Sequence, residues 1–461
     1  MKSSIGIIGG GFSGCMLAHH LLEKTENFQV VIFNKSNRIG PGLAYEPQSS
    51  TMLLNVKAGK MSAFPAIPSD FVDWLIKENI FPFKTSDEIT DSFVSRELYG
   101  YYLDHIWQNI LQIHGARITE VINEVITISH RIDTFTIETK TKEYEVQYCV
   151  LATGNEKPRN PLLSDTAFIS SQNYHQNPWA IPIEKIHNSR PILIIGTGLT
   201  MVDTIQLLRK NLKNGIVYCI SPHGFKILAH ENSIISYDDI LEKIQLSGRL
   251  ADLLAQFNTA KKEIKKRKGT LDALINYFRP ITGIIWQGFT PYEKNFFLEH
   301  LRHKWGVARH RIPPISFQQI NKEIQDKKLN INAGKIKEII ENESGLNVRY
   351  FDNAQNKELS LTVSCIINCT GPEGDVSKMK HGLLLNLLKK GIIAPGPSNL
   401  GVQVSVNDMR IKNTRNITKL YAIGNLLRGE LWESTAVNEL RSQTEILAQE
   451  IICTEKMEKK C

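Results

Sequence analysis

Along the chain, hydrophobic and polar positions alternate between two regimes: short, continuously apolar runs that end on glycine, and longer stretches of strand or helix periodicity. Residues 5–8 form the first run, the pattern of a strand buried on both faces. Met16, Leu17, Leu21 and Leu22 follow at helical spacing, and residues 29–33 predict a second strand ending at Asn34. Residues 192–195 repeat the arrangement, with a following strand over 215–220, and a third run, 420–423, stops at Gly424-Asn425. Two meanders are predicted between these runs. The first covers 120–129, 134–139 and 143–151 and ends in Ala152-Thr153-Gly154; the second covers 332–340, 346–351 and 359–368 and ends in Cys369-Thr370-Gly371. Each returning apolar strand would leave its Thr-Gly at the carboxyl edge of a parallel sheet, where ligands of open α/β sheets bind. Residues 237–312 change to a roughly 3.6-residue period through Leu241, Ile244, Leu250, Leu253, Leu254 and Phe257, and read as a helical insertion.

The glycines turn this pattern into candidate chemistry. Gly9, Gly11 and Gly14 form G-x-G-x-x-G between a strand and a helix opened by Phe12 and Ser13. The first glycine permits a tight turn, the second a close approach of backbone to a pyrophosphate, the third a close helix–strand contact. The helix N-terminus would then face the phosphates. Asn34 stands where a ribose-holding carboxylate is usual. In the second turn Gly196 and Gly198 fit the same roles, with Thr197 and Thr200 beside them, while Met201 replaces the small third residue. The next strand ends at Ser221-Pro222-His223-Gly224 with no carboxylate, so Ser221, His223 and Lys226 lean towards a 2′-phosphate. Two such turns and a late third one predict two dinucleotides on one chain: FAD beside NADP, with NAD possible. The expected fold class is α/β, with two Rossmann-like dinucleotide-binding domains. A split FAD domain (1–165 and 365–461) would enclose an NAD(P) domain (166–364) that carries the helical insertion.

Composition narrows the alternatives. The 461 residues are 42% hydrophobic and 22% charged, a globular balance with room for two or three domains. No apolar run is long enough to span a membrane. Lys2 and Phe12-Ser13-Gly14-Cys15 imitate a lipoprotein signal, but cleavage there would delete the phosphate turn, so no processing is expected. The seven cysteines form no C-x-x-C, which disfavours a dithiol relay and suits a reducing cytoplasm; no zinc spacing is present. The net charge of +8 resides in residues 261–311, with twelve Lys/Arg against four Asp/Glu; the rest balances at 43 each. Its 261–268 run reads as a solvated helix face rather than a nucleic-acid contact. Arg309 and Arg311, within Arg302-His-Lys-Trp-Gly-Val-Ala-Arg-His-Arg311, are candidates for binding an acidic substrate, since arginine forks match carboxylate and phosphate.

Several strings resemble signatures of the bacterial FAD-NAD(P)-binding protein family: Arg38-Ile-Gly-Pro-Gly-Leu-Ala-Tyr45, Leu53-Leu-Asn-Val56, Met61-Ser-Ala-Phe-Pro65, Asp70-Phe-Val-Asp-Trp-Leu75, Arg96-Glu-Leu-Tyr-Gly100 and Arg428-Gly-Glu-Leu-Trp-Glu433. The layout is similar to that of flavin-dependent lysine and ornithine N-hydroxylases. The resemblance implies that Gly9, Gly11 and Gly14 hold the FAD pyrophosphate and that Asn34 takes the ribose. It further implies that 55–64, through Asn55 and Ser62, lies along the isoalloxazine, and that Gly424 and Asn425 meet the ribityl-phosphate part. Thr153, Gly154 and Gly371 join them as cofactor-edge residues. The implied activity is that of an NAD(P)H-reduced, monooxygenase-like FAD oxidoreductase of a small molecule. The alternatives are a reductase of a small acceptor and a non-catalytic redox sensor. No catalytic acid or base and no oligomeric state is readable from the residues.

Overall fold

The structure, a computed structural model, describes residues 2–46, 50–162, 166–187, 190–231, 237–246, 248–379 and 382–459. A first sheet has five parallel strands in the order Leu420–Ala422, Tyr148–Leu151, Ser3–Ile8, Phe28–Asn34, Ile118–Ile122. The chain's two ends therefore share one sheet. Helix Phe12–Lys24 covers one face and packs against the C-terminal helix Val437–Glu458. On the other face lies an antiparallel sheet of Val125–Arg131, Thr134–Thr139 and Glu143–Val146. Gly6 makes that close packing possible, because a Cβ there would stand 2.4 Å from the Ile137 side chain.

A second sheet has seven strands: Lys357–Val363, Gly345–Asp352, Leu329–Asn342, Val217–Ser221, Ile192–Ile195, Cys365–Asn368 and Tyr174–His175. Its parallel part is Leu329 to His175 in that order, and the first three strands form the antiparallel meander.

Both meanders differ from the sequence reading in the same way. Residues 120–129 and 143–151 each read as one strand, but each is divided: Ile118–Ile122 and Tyr148–Leu151 belong to the parallel sheet, and Val125–Arg131 and Glu143–Val146 to the meander. Residues 359–368 likewise divide at Ser364, between Lys357–Val363 and Cys365–Asn368. Apolar alternation continues through each junction, so periodicity alone does not show the change of partner. One boundary moves as a result. Cys365–Asn368 pairs with Ile192–Ile195 and so lies in the second sheet, not in the returning part of the first unit as 365–461 implied. The chain crosses back near Gly371, where Pro158 and Pro372 form a bridge between the two crossing segments.

The inserted helices are Asp238–Leu241, Leu250–Lys266, Asp272–Phe278, Thr282–Gly288, Pro291–Phe296 and Arg302–Arg309. They surround a core of their own that includes Leu253, Ile264, Leu274, Phe278 and Trp286. Trp432, from the C-terminal segment of the first unit, completes it: its ring stacks on Trp286 at 5.1 Å, and Trp286 Nε1 donates to Gly429 O at 2.8 Å. Trp432 sits at φ 58°, ψ −66°, a left-handed conformation that a bulky residue adopts only when its surroundings impose it. Burial of the indole, worth a few kcal/mol, is what holds it there.

Candidate functional site

The two glycine turns are built alike. In each, a strand residue leads into a glycine at strongly positive φ, +115° at Gly9 and +113° at Gly196. Each glycine N–H donates across the sheet, Gly9 to Phe33 O (2.9 Å) and Gly196 to Ile220 O (2.8 Å). Each is pressed against the end of its returning strand. A Cβ would stand 2.1 Å from Ala152 O at Gly9 and 2.4 Å from Cys369 O at Gly196. No side chain fits either place. Helices Phe12–Lys24 and Leu199–Asn211 then start from Gly11 and Gly198, both extended and both without a capping side chain. The first-turn N–H groups are thereby left to an anion. Gly14 is pressed hardest, since a Cβ would overlap Gly9 O. Its counterpart Met201 is 1% exposed, packed into the core of the second unit.

The residues facing these turns fit a dinucleotide. Gly154 and Gly371 both have positive φ, and an added Cβ at either would meet nothing within 4 Å, so both are open on the ligand side. Thr153 Oγ1 is buried with no partner, a hydroxyl that a bound group would satisfy. Gly424 arrives from the far end of the sequence, and a Cβ on it would lie 3.9 Å from Ser13 Oγ. Gly424 is fixed by Gln443 and Ser434, which bond its N–H and its carbonyl. Asn425 beside it is 8% exposed. The first turn, the first Thr-Gly and the third glycine mark thus converge on one sheet edge. Phe12 contributes a 5% exposed side chain to the core rather than to that edge.

Other candidate residues are occupied by the protein itself. Asn34 Nδ2 donates to Ser36 O, Ser36 Oγ and Arg38 O at 2.9–3.2 Å, and Oδ1 accepts from Gly10 N–H at 3.2 Å. Its carboxamide staples two loops, using both N–H donors and one acceptor site of Oδ1, which a carboxylate could not do. Ser62 is wholly buried, and its hydroxyl bonds Phe64 and Ile67 backbone groups, which shapes the turn of that segment. Asn55 is held through its carbonyl, which accepts from His230 Nε2 at 2.8 Å. Ser221 Oγ bonds Thr197 Oγ1 and Gly224 N–H at 3.0 Å each, tying the second turn to its neighbouring strand end. Thr200 lies half-buried in the first turn of its helix.

The two arginines singled out for an acidic substrate are neutralised within the protein. Arg309 Nε donates to Glu433 Oε2 at 2.9 Å. Arg311, 5% exposed, pairs with Asp272 at 2.5 Å and bonds the carbonyls of Ala308 and Ala229. Both knit the insertion to its neighbours.

One ion pair was not legible in the sequence. Arg96, which opens helix Arg96–His114 against the first sheet, pairs with Asp203 of Leu199–Asn211 at 3.2 Å; their side chains are 12% and 9% exposed. Burial pushes the Asp203 carboxyl above the usual range, and Arg96 opposes that shift. The pair spans the two units, and only the folded chain brings residues so far apart into contact.

Comparison with known proteins agrees with this geometry. Residues 6–156 match a family model described as FAD-NAD(P)-binding. The N-terminal third is an FAD-NAD(P)-binding domain. No curated protein matches the chain. Among solved structures, the ornithine N-hydroxylase of Kutzneria sp. 744, solved with reduced FAD, NADP+ and L-ornithine, shares 15% identity over 99% of this chain and 100% of its own (TM-score 0.69). L-lysine 6-monooxygenase of Pseudomonas syringae shares 14% over 99% of both chains (TM-score 0.66). The bacillithiol disulfide reductase of Staphylococcus aureus shares 13% over 99% of both (TM-score 0.59). At these identities the likeness is one of fold: the matched N-terminal domain sits in a Rossmann-like α/β architecture of two sheet units that extends over the whole chain.

Proposed function

We propose that the protein is an FAD-dependent oxidoreductase reduced by NAD(P)H, monooxygenase-like, and acting on a small molecule. The observation that carries this reading is the duplication just described: two glycine turns of the same backbone geometry, each facing its own Thr-Gly, in one chain. In this reading Gly9, Gly11, Ser13, Gly14, Thr153, Gly154, Gly424 and Asn425 hold FAD. Gly196, Thr197, Gly198, Thr200, Ser221 and Gly371 hold the nicotinamide dinucleotide. The flavin, when bound, supplies the redox chemistry, and the protein supplies alignment and exclusion of water. The helix N-termini at Phe12 and Leu199 stabilise phosphate charge, Thr153 Oγ1 orients what lies above it, and the Arg96–Asp203 pair fixes one unit against the other.

Among the relatives of this fold are disulfide reductases as well as hydroxylases. The thiols favour the hydroxylase side. Cys15, Cys149, Cys219, Cys365 and Cys369 are all buried. Burial pushes the Cys365 and Cys369 thiols up to about 12, far from the thiolate that exchange needs. Buried free thiols also suit a reducing cytoplasm. Among the described residues no helix is long and apolar enough to cross a membrane, and no group of His, Cys, Asp or Glu could hold a metal.

The test is an anaerobic titration of the FAD-loaded protein with NADPH and NADH in parallel, followed through the visible flavin band. Bleaching by either nucleotide is expected, with oxygen uptake and substrate-dependent loss of peroxide release as the monooxygenase check. A protein that takes up no FAD, or whose flavin neither nucleotide reduces, would overturn the reading in favour of a non-catalytic dinucleotide sensor.

A further inference from the structure

A small cavity lies between the two units, and the polar groups around it are buried but not all satisfied. Its second-unit wall is a single face of helix Leu199–Asn211: Leu199, Val202, Asp203 and Gln206 follow at i, i+3, i+4 and i+7, and all line it. Across it stands Arg96, presented by a short ribbon of the first unit in which Leu54 N–H donates to Val94 O and Arg96 N–H to Met52 O, each at 2.8 Å. The ribbon is firmly seated, because the buried Met52 side chain belongs to the core of the second unit. Arg96 Nη2 pairs with Asp203 at 3.2 Å, and Cζ lies 5.9 Å from the Trp179 ring centroid. Nε is left over: it is buried and has no partner in the protein. Gln206 is in the complementary state. Its Nε2 donates at 2.9 Å to Oγ of the buried Ser316, in helix Pro314–Gln325, while its Oε1 is buried with no partner. A donor on one unit and an acceptor on the other thus line the same space without bonding to each other.

We propose that this space is a hydration site: one buried water accepts from Arg96 Nε–H and donates to Gln206 Oε1, tying the two units together beside the Arg96–Asp203 pair. The room is right for it. The cavity offers about 10 Å³ to the centre of a water-sized molecule, enough for one water and too little for an organic ligand. The chemistry is right as well. The occupant must accept one hydrogen bond and donate another, which water does and a simple ion of either sign does not. For its second hydrogen the same wall supplies the Asp203 carboxylate, which makes up the three partners typical of a buried water. A dry site would leave a guanidinium N–H and an amide oxygen unsatisfied on the two faces of a joint, where the low dielectric makes each of them costly. The consequence is positional. Asp203 and Gln206 lie on the helix that starts at the second glycine turn, three residues apart. Ion pair and water together hold that helix to the first unit at two points about one turn apart. The site needs no bound dinucleotide and does not rest on the proposed function.

The experiment is a high-resolution crystal structure of the natural chain, of Gln206→Met and of Gln206→Glu, with urea unfolding of the same proteins, of Arg96→Lys and of the double variant Arg96→Lys/Gln206→Met. In the natural chain one ordered density peak is expected within hydrogen-bond distance of both Arg96 Nε and Gln206 Oε1. Gln206→Met, which keeps the length of the side chain and removes the acceptor, should lose the peak, whereas Gln206→Glu should keep it. In solution Gln206→Met should shift the unfolding equilibrium about tenfold towards the unfolded chain, the effect of leaving buried polar groups unbridged, and Gln206→Glu should recover most of that. Arg96→Lys retains the charge facing Asp203 but not the Nε–H, so its loss and that of Gln206→Met should overlap. The double variant should exceed the product of the single losses in stability by about threefold or more. Water magnetic relaxation dispersion, which counts long-lived internal waters and needs no crystal, should register one fewer in Gln206→Met. A dry site in the density, or Arg96 Nε bonded directly to Gln206, would overturn the proposal, as would multiplicative single losses or an unchanged count of long-lived waters. Failure of NAD(P)H to reduce the flavin would instead sink the proposed function and leave the hydration result standing.

Discussion

Replacing Arg96 by Met should separate the energetics of the inter-unit contact from those of either unit alone. The perturbation keeps most of the side-chain volume and removes the charge that faces Asp203 at 3.2 Å. Asp203 is 6% exposed, so the variant leaves a buried carboxylate without its counter-ion. Breaking a buried pair from one side typically costs about 3–5 kcal/mol. The lower figure applies here, because Arg96 Nε is itself buried without a partner and the pair is already imperfect. In a chain this long about 3 kcal/mol moves the melting temperature by only a few degrees, so urea midpoints are the better assay. The pH dependence is the diagnostic. Asp203 is raised by burial and lowered by Arg96, so removing Arg96 raises it further. Stability linked to a raised carboxyl is fully present below its unfolded value, near pH 4, and is lost as pH rises through the folded value. The deficit of Arg96→Met should therefore be largest at neutral pH and shrink towards pH 4. Asp203→Asn added to Arg96→Met should recover part of it. Additivity of the two single variants within about 0.5 kcal/mol, or a deficit that does not change with pH, would refute the coupling. Flavin content should be unchanged in Arg96→Met, while anaerobic reduction by NAD(P)H slows.

Three other outcomes follow from the same structure. Gly11→Asp should fold, since Asp is a favoured N-cap and a Cβ there has ordinary contact with Gly42 at 3.4 Å, yet lose FAD because its carboxylate occupies the anion seat of the helix; a fully yellow purified variant would contradict this. Asn34→Asp should lower stability by about 1–3 kcal/mol and weaken FAD uptake, although it restores the residue usual at that position. The reason is that a carboxylate cannot donate to Ser36 and Arg38; tighter FAD binding by flavin fluorescence titration would show that Asn34 acts on the ribose after all. Trp432→Ala should cost about 3–5 kcal/mol by opening the insertion's core and should make the 261–268 basic run a preferred tryptic site, as limited proteolysis would show; an unchanged digestion pattern would mean that the insertion holds its place without the indole.

Local rules made the framework legible. Apolar runs ending in glycine located both glycine turns because a strand buried on both faces, a residue forced to positive φ and a helix start each leave marks within ten residues of sequence. The matched Thr-Gly ends were visible for the same reason, and the structure explains them: Gly9 and Gly196 have no Cβ because Ala152 O and Cys369 O occupy that space. What the sequence could not decide was whatever depends on partners far along the chain. It did not show that Ile118–Ile122 and Val125–Arg131 part company, because alternation continues across a change of sheet. Nor did it show which partners the arginines take. Arg309 and Arg311 are alike as letters, and only tertiary contact assigns Glu433 to Arg309 and Asp272 to Arg311. Asn34 illustrates the same limit at one residue: its position suggested a ribose partner, and only the fold shows the four hydrogen bonds by which it also staples two loops. Backbone conformation is set by neighbours in sequence and survives translation into a pattern. Charge compensation and hydrogen-bond satisfaction are settled among neighbours in space, and for those the fold had to be seen.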